Sequence, residues 1–132
     1  MQYDDFVGQV QNRAKLSSGG EAVKAIRATL DTLSRRLPAD DVRKIEAQLP
    51  EEIAFYLQMG EETLDKIDLD QFFSEIQKKE DLGLNTSVFH CRAVMSVLCD
   101  ALSPGEVEKL KRELPEEYAP LLESGAEGRL QS

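Results

Sequence analysis

The sequence predicts an all-α fold, and three observations carry that expectation. Apolar side chains recur at spacings of three and four through most of the chain, the period of a helix face. No stretch alternates apolar and polar residues between turn dipeptides, as a half-buried strand would. The chain also resembles itself. Displaced by 65 positions, residues 23–57 fall on 88–122 without a gap and with 13 identities in 35 positions. Leu49-Pro50-Glu51-Glu52 meets Leu114-Pro115-Glu116-Glu117, and Arg27-Ala28 meets Arg92-Ala93. A displacement of 66 extends the match backwards, from Asp4, Phe6 and Val10 to Asp70, Phe72 and Ile76. One residue of slip is what a loop between helices absorbs. The expected architecture is a tandem duplication of a four-helix unit packed as one eight-helix domain over 1–124. Its repeats run over about 3–58 and 69–123, and 125–132 is a flexible tail. Units of roughly 60 residues are marginal alone, so a shared core is expected.

The first helix of each copy is carried by Phe6, Val7, Val10 and Ala14, and by Phe72, Phe73 and Ile76. Asp68 and Gln71 fit a capping box, in which each side chain serves the other residue's backbone N–H. Ser18 and Glu21 stand in the same relation before the second helix. That helix puts Val23, Ile26, Leu30, Leu33 and Leu37 on one stripe, and its twin puts Val88, Cys91, Met95, Leu98 and Leu102 there. The flanking Ala25, Ala28 and Thr29, with His90, Ala93 and Val94 in the twin, are small or apolar, so this helix is expected at the centre. Ser103-Pro104-Gly105-Glu106 opens a third helix: Ser caps, and Pro suits the first turn. Its face is Val107, Leu110 and Leu114, matched by Val42, Ile45 and Leu49. Pro50 and Pro115 each start a short fourth helix, with two glutamates in the first turn where the helix dipole favours anions.

Composition narrows the function classes. The 132 residues are 41% apolar, and 25 acids against 16 bases leave a formal charge of −9. Phosphate backbones require clustered Lys and Arg, so no nucleic-acid partner is expected. The charge is uneven, at −1 over residues 1–60 and −8 over 61–132. No apolar run approaches the ~20 residues of a membrane span, and the acidic N-terminus lacks a signal-peptide plan. Two cysteines are too few for a disulfide framework. A cytoplasmic chain without a membrane partner is expected.

The Tyr3-Asp4-Asp5-Phe6 opening, the Arg27-Ala28-Thr29-Leu30…Leu33…Leu37 helix and the Ala47-Gln48-Leu49-Pro50 element resemble the bacterial family called domain of unknown function 2267. The resemblance runs to about Leu122. It implies an all-helical fold made of a duplicated unit, and it implies no activity.

Each chemically suggestive residue has a structural reading. Cys91 takes the core position of Ile26, and Cys99 that of Ser34, so both are expected as small packed side chains. His90 and Cys91 are neighbours in a helix and point about 100° apart, which is wrong for a nucleophile pair. Neither residue has zinc-ligand spacing. The acids of Asp65–Asp70 fail the EF-hand pattern in either register, because Ile67 or Phe72 falls where a ligand is needed. Glu51, Glu52, Glu116 and Glu117 are explained by the helix dipole. The duplicated Arg27 and Arg92 border a core face and are expected to pair with those acids, Arg27 with Glu51 or Glu52 and Arg92 with Glu116 or Glu117. Their functional reading is an anion or partner-carboxylate site. Phe55, Tyr56 and Met59 exceed what one helix face can bury. They are expected against the 61–67 connection and the second half, or at a homodimer contact.

The sequence therefore leads to a non-enzymatic interaction or stress-associated module with an unidentified protein partner. Its candidate interaction residues are Arg27, Arg92, Phe55, Tyr56 and Met59. No catalytic, cofactor-binding or metal residue is assigned, and no cofactor is implied. The alternatives are a small-molecule or anion binder and an unrecognised enzyme.

Overall fold

A computed structural model describes residues 1–58 and 66–123. The elements in order are α1 (Tyr3–Arg13), α2 (Gly19–Arg36), α3 (Ala39–Glu46), α4 (Glu51–Gln58), α5 (Leu69–Glu80), α6 (Leu84–Ala101), α7 (Pro104–Glu113) and a 3-10 segment (Glu116–Leu121). The described residues contain no strand, so the fold is all-α. No single helix among them is long and apolar enough to cross a membrane.

The helix ends follow local chemistry. Asp68 and Gln71 form the reciprocal box: the Gln71 N–H donates to Asp68 Oδ1 at 2.8 Å, and the Asp68 N–H donates to Gln71 Oε1 at 2.9 Å. Ser18 Oγ accepts from the Glu21 N–H, and Ser103 Oγ from the Glu106 N–H, both at 3.2 Å. α1 and α5 are each followed by a residue in the left-handed region, Lys15 at φ 55° and Asp81 at φ 57°. That conformation turns the chain sharply out of the helix and into α2 or α6.

The two long helices α2 and α6 pack on each other at the centre. α1 lies on α2 and α6, and α5 lies on α6 and α2; α4 covers α2, the 3-10 segment covers α6, and α3 meets α7. Ile26, Leu30, Leu33, Val94, Met95 and Leu98 are fully or almost fully buried from the central pair, and Phe6 and Phe72 from the helices above. Burying each such side chain stabilises the fold by about 1.5–3 kcal/mol.

Polar side chains stitch the halves together around this core. Arg13 on α1 donates to Ser96 Oγ at 3.0 Å and pairs with Asp100 at 2.6 Å, both on α6. Lys79 on α5 pairs with Asp31 at 2.9 Å and donates to Thr32 Oγ1 at 2.7 Å, both on α2. Between α3 and α7, Lys109 pairs with the buried Asp41 at 2.8 Å. The Ile67 carbonyl accepts from Arg36 Nε at 3.0 Å and from the Tyr118 hydroxyl at 2.8 Å, with the Arg36 guanidinium 5.5 Å from the centre of the Tyr118 ring. Burial raises the Tyr118 pKa despite that guanidinium.

The fourth helix expected after Pro115 is not α-helical. Pro120 lies inside it and has no N–H for an i→i−4 bond, so the turns tighten. The Tyr118 N–H bonds to Pro115 O at 2.9 Å, three residues back. Met59, most of the 61–67 connection and the 125–132 tail lie outside the described residues.

Candidate functional site

A groove with a volume of about 590 Å³ opens where α2, α4 and α5 meet. α2 supplies Val23, Lys24, Arg27 and Asp31 to its wall, α4 supplies Tyr56, and α5 supplies Lys79. Lys24, Arg27 and Asp31 share one side of α2 because residues three and four apart are neighbours on a helix surface. The core-facing stripe beside them fixes which way that side points.

Arg27 is exposed, and its guanidinium lies 5.7 Å from the centre of the Tyr56 ring. That arrangement corrects the expected ion pair. Among the described residues Arg27 makes no salt bridge to Glu51 or Glu52, and Arg92 makes none to Glu116 or Glu117. The glutamates sit in the first turns of α4 and the 3-10 segment and point to solvent. Tyr56 lies one turn further along α4, partly buried against the core, and it offers Arg27 an aromatic face instead. Exposed ion pairs contribute little, so a stacked guanidinium loses little by forgoing one.

Sequence reading thus named two of the groove's walls, Arg27 and Tyr56, and not their common role. It grouped them with Arg92 and Phe55, which the structure leaves out of the groove's lining: Arg92 is exposed on α6, and Phe55 is 55% exposed and meets Tyr56 edge-on at 6.2 Å. Lys24, Asp31 and Lys79 were missed. Asp31 and Lys79 are 48 residues apart, and only the packing of α5 on α2 brings them together. Lys79 is held by Asp31 and Thr32. Lys24 and Arg27 make no ion pair with another described residue, so two positive charges face a groove in a chain of charge −9. Such a surface favours an anion.

The other titratable groups are interior. His90 is buried, and its Nδ1 lies 2.7 Å from Oε2 of Glu80, which is 1% exposed. The Glu80 partner was not foreseen. One signal could have found it: an acid in the last turn of α5, where the helix dipole disfavours it. Cys91 and Cys99 are both free and buried. Burial pushes the Cys91 thiol well up and the Cys99 thiol up to about 12, which makes them poor nucleophiles. The described residues contain no group of three or more His, Cys, Asp or Glu side chains placed to hold a metal.

Residues 3–121 match the family described as an uncharacterized conserved protein, DUF2267. The chain belongs to the DUF2267 family. Among curated proteins none matches it. The family match spans every element from α1 to the end of the 3-10 segment, so the groove lies wholly within the family's domain.

Proposed function

We propose that this chain is a non-enzymatic binding module and that the α2–α4–α5 groove is its recognition face. The observation that carries the reading is the stacked Arg27–Tyr56 pair beside Lys24, two cations with no ion-pair partner among the described residues, over an apolar floor in a strongly acidic chain. Aromatic and Arg side chains held in place are the residues that most often dominate binding. A groove of about 590 Å³ also falls within the ~300–1,000 Å³ of small-molecule sites, which favours an anion-binding version of the same reading. Two free, buried thiols support a reducing, cytoplasmic setting.

The same proposal includes the duplication. Supporting it, Lys15 and Asp81, both at positive φ, occupy matching positions in the two halves. The Arg13–Ser96 and Lys79–Asp31 contacts also match, and α1 on α6 answers α5 on α2. Within that scheme Lys24 and Tyr56 correspond to Phe89 and Leu121, so the repeat itself does not demand the groove's chemistry.

The test is affinity capture from the native host with the wild type, an Arg27→Gln/Tyr56→Leu variant and an Arg92→Gln control. Ligands retained by the wild type and the control but lost by the groove variant are the expected result. An identical set on all three removes the groove as the recognition face. Self-association is a second reading, favoured by the exposed Phe55. Sedimentation of the wild type against Phe55→Ser decides it, since a monomer in both eliminates that contact.

A further inference from the structure

We infer that the α2–α4–α5 groove takes a small organic carboxylate carrying an apolar body. This rests on the groove being the recognition face and names what it recognises. Four features of the wall select that chemistry.

The first is the balance of charge. Lys79 is already joined to Asp31 at 2.9 Å and to Thr32 Oγ1 at 2.7 Å, so among the described residues the acid in the groove's wall is neutralised and Lys24 and Arg27 are left to an incoming anion. The second is geometry. Lys24 and Arg27 are three residues apart on α2, neighbours on its surface, so one carboxylate can reach both heads. The planar guanidinium presents parallel N–H donors that match a carboxylate's two oxygens.

The third is preorganisation. Arg27 already rests on the Tyr56 ring, so less side-chain freedom is lost when a ligand arrives than for an untethered surface Arg. The fourth is the floor. Val23, Ala28 and the Tyr56 ring offer an apolar bed beside the cations, which an inorganic ion leaves unused and an alkyl or aryl body covers.

A phosphate monoester shares the anionic head but fits less well. Many phosphate sites add free backbone N–H groups at a helix start to their Arg and Lys contacts, and here one of those groups, the Glu21 N–H in the first turn of α2, is taken by Ser18 Oγ at 3.2 Å. Glu21 itself adds a negative charge to that turn, which opposes a dianion more than a monoanion.

The experiment is an amide NMR titration of the full chain with 3-phenylpropionate, its uncharged amide 3-phenylpropionamide, and phenyl phosphate. The carboxylate is expected to give saturable shifts confined to α2, α4 and the end of α5. The amide should bind at least ten-fold more weakly. Arg27→Gln, an exposed substitution that leaves the core intact, should weaken the carboxylate at least ten-fold, and Arg92→Gln should leave it unchanged. Equal binding of acid and amide, tighter binding of phenyl phosphate, or shifts centred outside the groove would each overturn the inference. Absence of any binding overturns it too. If host capture still depends on Arg27 and Tyr56, that result leaves the recognition face standing and rejects only the carboxylate class.

Discussion

Glu80 and His90 show how much one buried contact can govern. Their side chains meet at 2.7 Å with almost no solvent, and Glu80 Oε1 has no hydrogen-bond partner among the described residues. Removing one member of such a pair strands the other in a poorly solvating interior, at a cost of about 3–5 kcal/mol, whereas removing both is far milder. Glu80→Ala is therefore expected to destabilise strongly, and Glu80→Ala/His90→Ala to recover most of the loss in urea unfolding. Under the proposed duplication the positions that match them are Ala14 and Ala25, both buried, and that reading expects alanine to suit both sites. The thiols make a second prediction. Their raised pKa values mean that the unfolded chain can ionise them when the folded chain cannot. Their contribution to stability is thus complete below the unfolded value, near pH 9, and falls as pH rises towards about 12 for Cys99. Between pH 9 and 10 the wild type should lose stability faster than Cys91→Ala/Cys99→Ala, by at most about 1.4 kcal/mol per pH unit for each thiol. Parallel curves would contradict this. The candidate site was only half legible at this scale. Arg27 stands out locally because a charged side chain borders a core face, and Tyr56 because it exceeds what its helix face can bury, while Lys79 reaches the groove solely through long-range packing.

The helices were the most legible level, because their causes are local. Periodicity placed α1, α2, α5 and α6, and the Asp68–Gln71 box, Ser18 and Ser103 marked where three helices begin. The last segment was not legible, since one proline, Pro120, decides between α and 3-10 geometry where the flanking pattern is helical. Nor did the sequence mark the two left-handed turns, which a glycine would have announced. These turns carry an element-scale prediction. Lys15 at φ 55° holds a conformation that costs an ordinary L-residue roughly 1 kcal/mol, while Asp tolerates it better. Lys15→Gly is expected to raise the unfolding midpoint despite glycine's greater freedom when unfolded, and Asp81→Gly to raise it less. Calorimetry showing Lys15→Gly less stable than the wild type would refute the strain assigned to that turn.

Over the whole molecule, the central α2–α6 contact and the polar ties through Arg13, Lys79 and Tyr118 join residues from both halves. No half can open without exposing the other's core, so unfolding is expected as one transition, with tyrosine fluorescence and far-ultraviolet dichroism coincident. Two separated transitions would break that account. A cooperative fold also converts binding at one groove into stability of the entire chain: a ligand that binds only the native state at a hundred times its Kd adds about 2.7 kcal/mol. The most direct measurement is therefore the melting temperature against 3-phenylpropionate concentration for the wild type, Arg92→Gln and Arg27→Gln/Tyr56→Leu. A rise of several degrees, shared by the wild type and Arg92→Gln and absent from the groove variant, is the expected result. An equal rise in all three, or no rise in the wild type, would contradict recognition of a carboxylate through this groove.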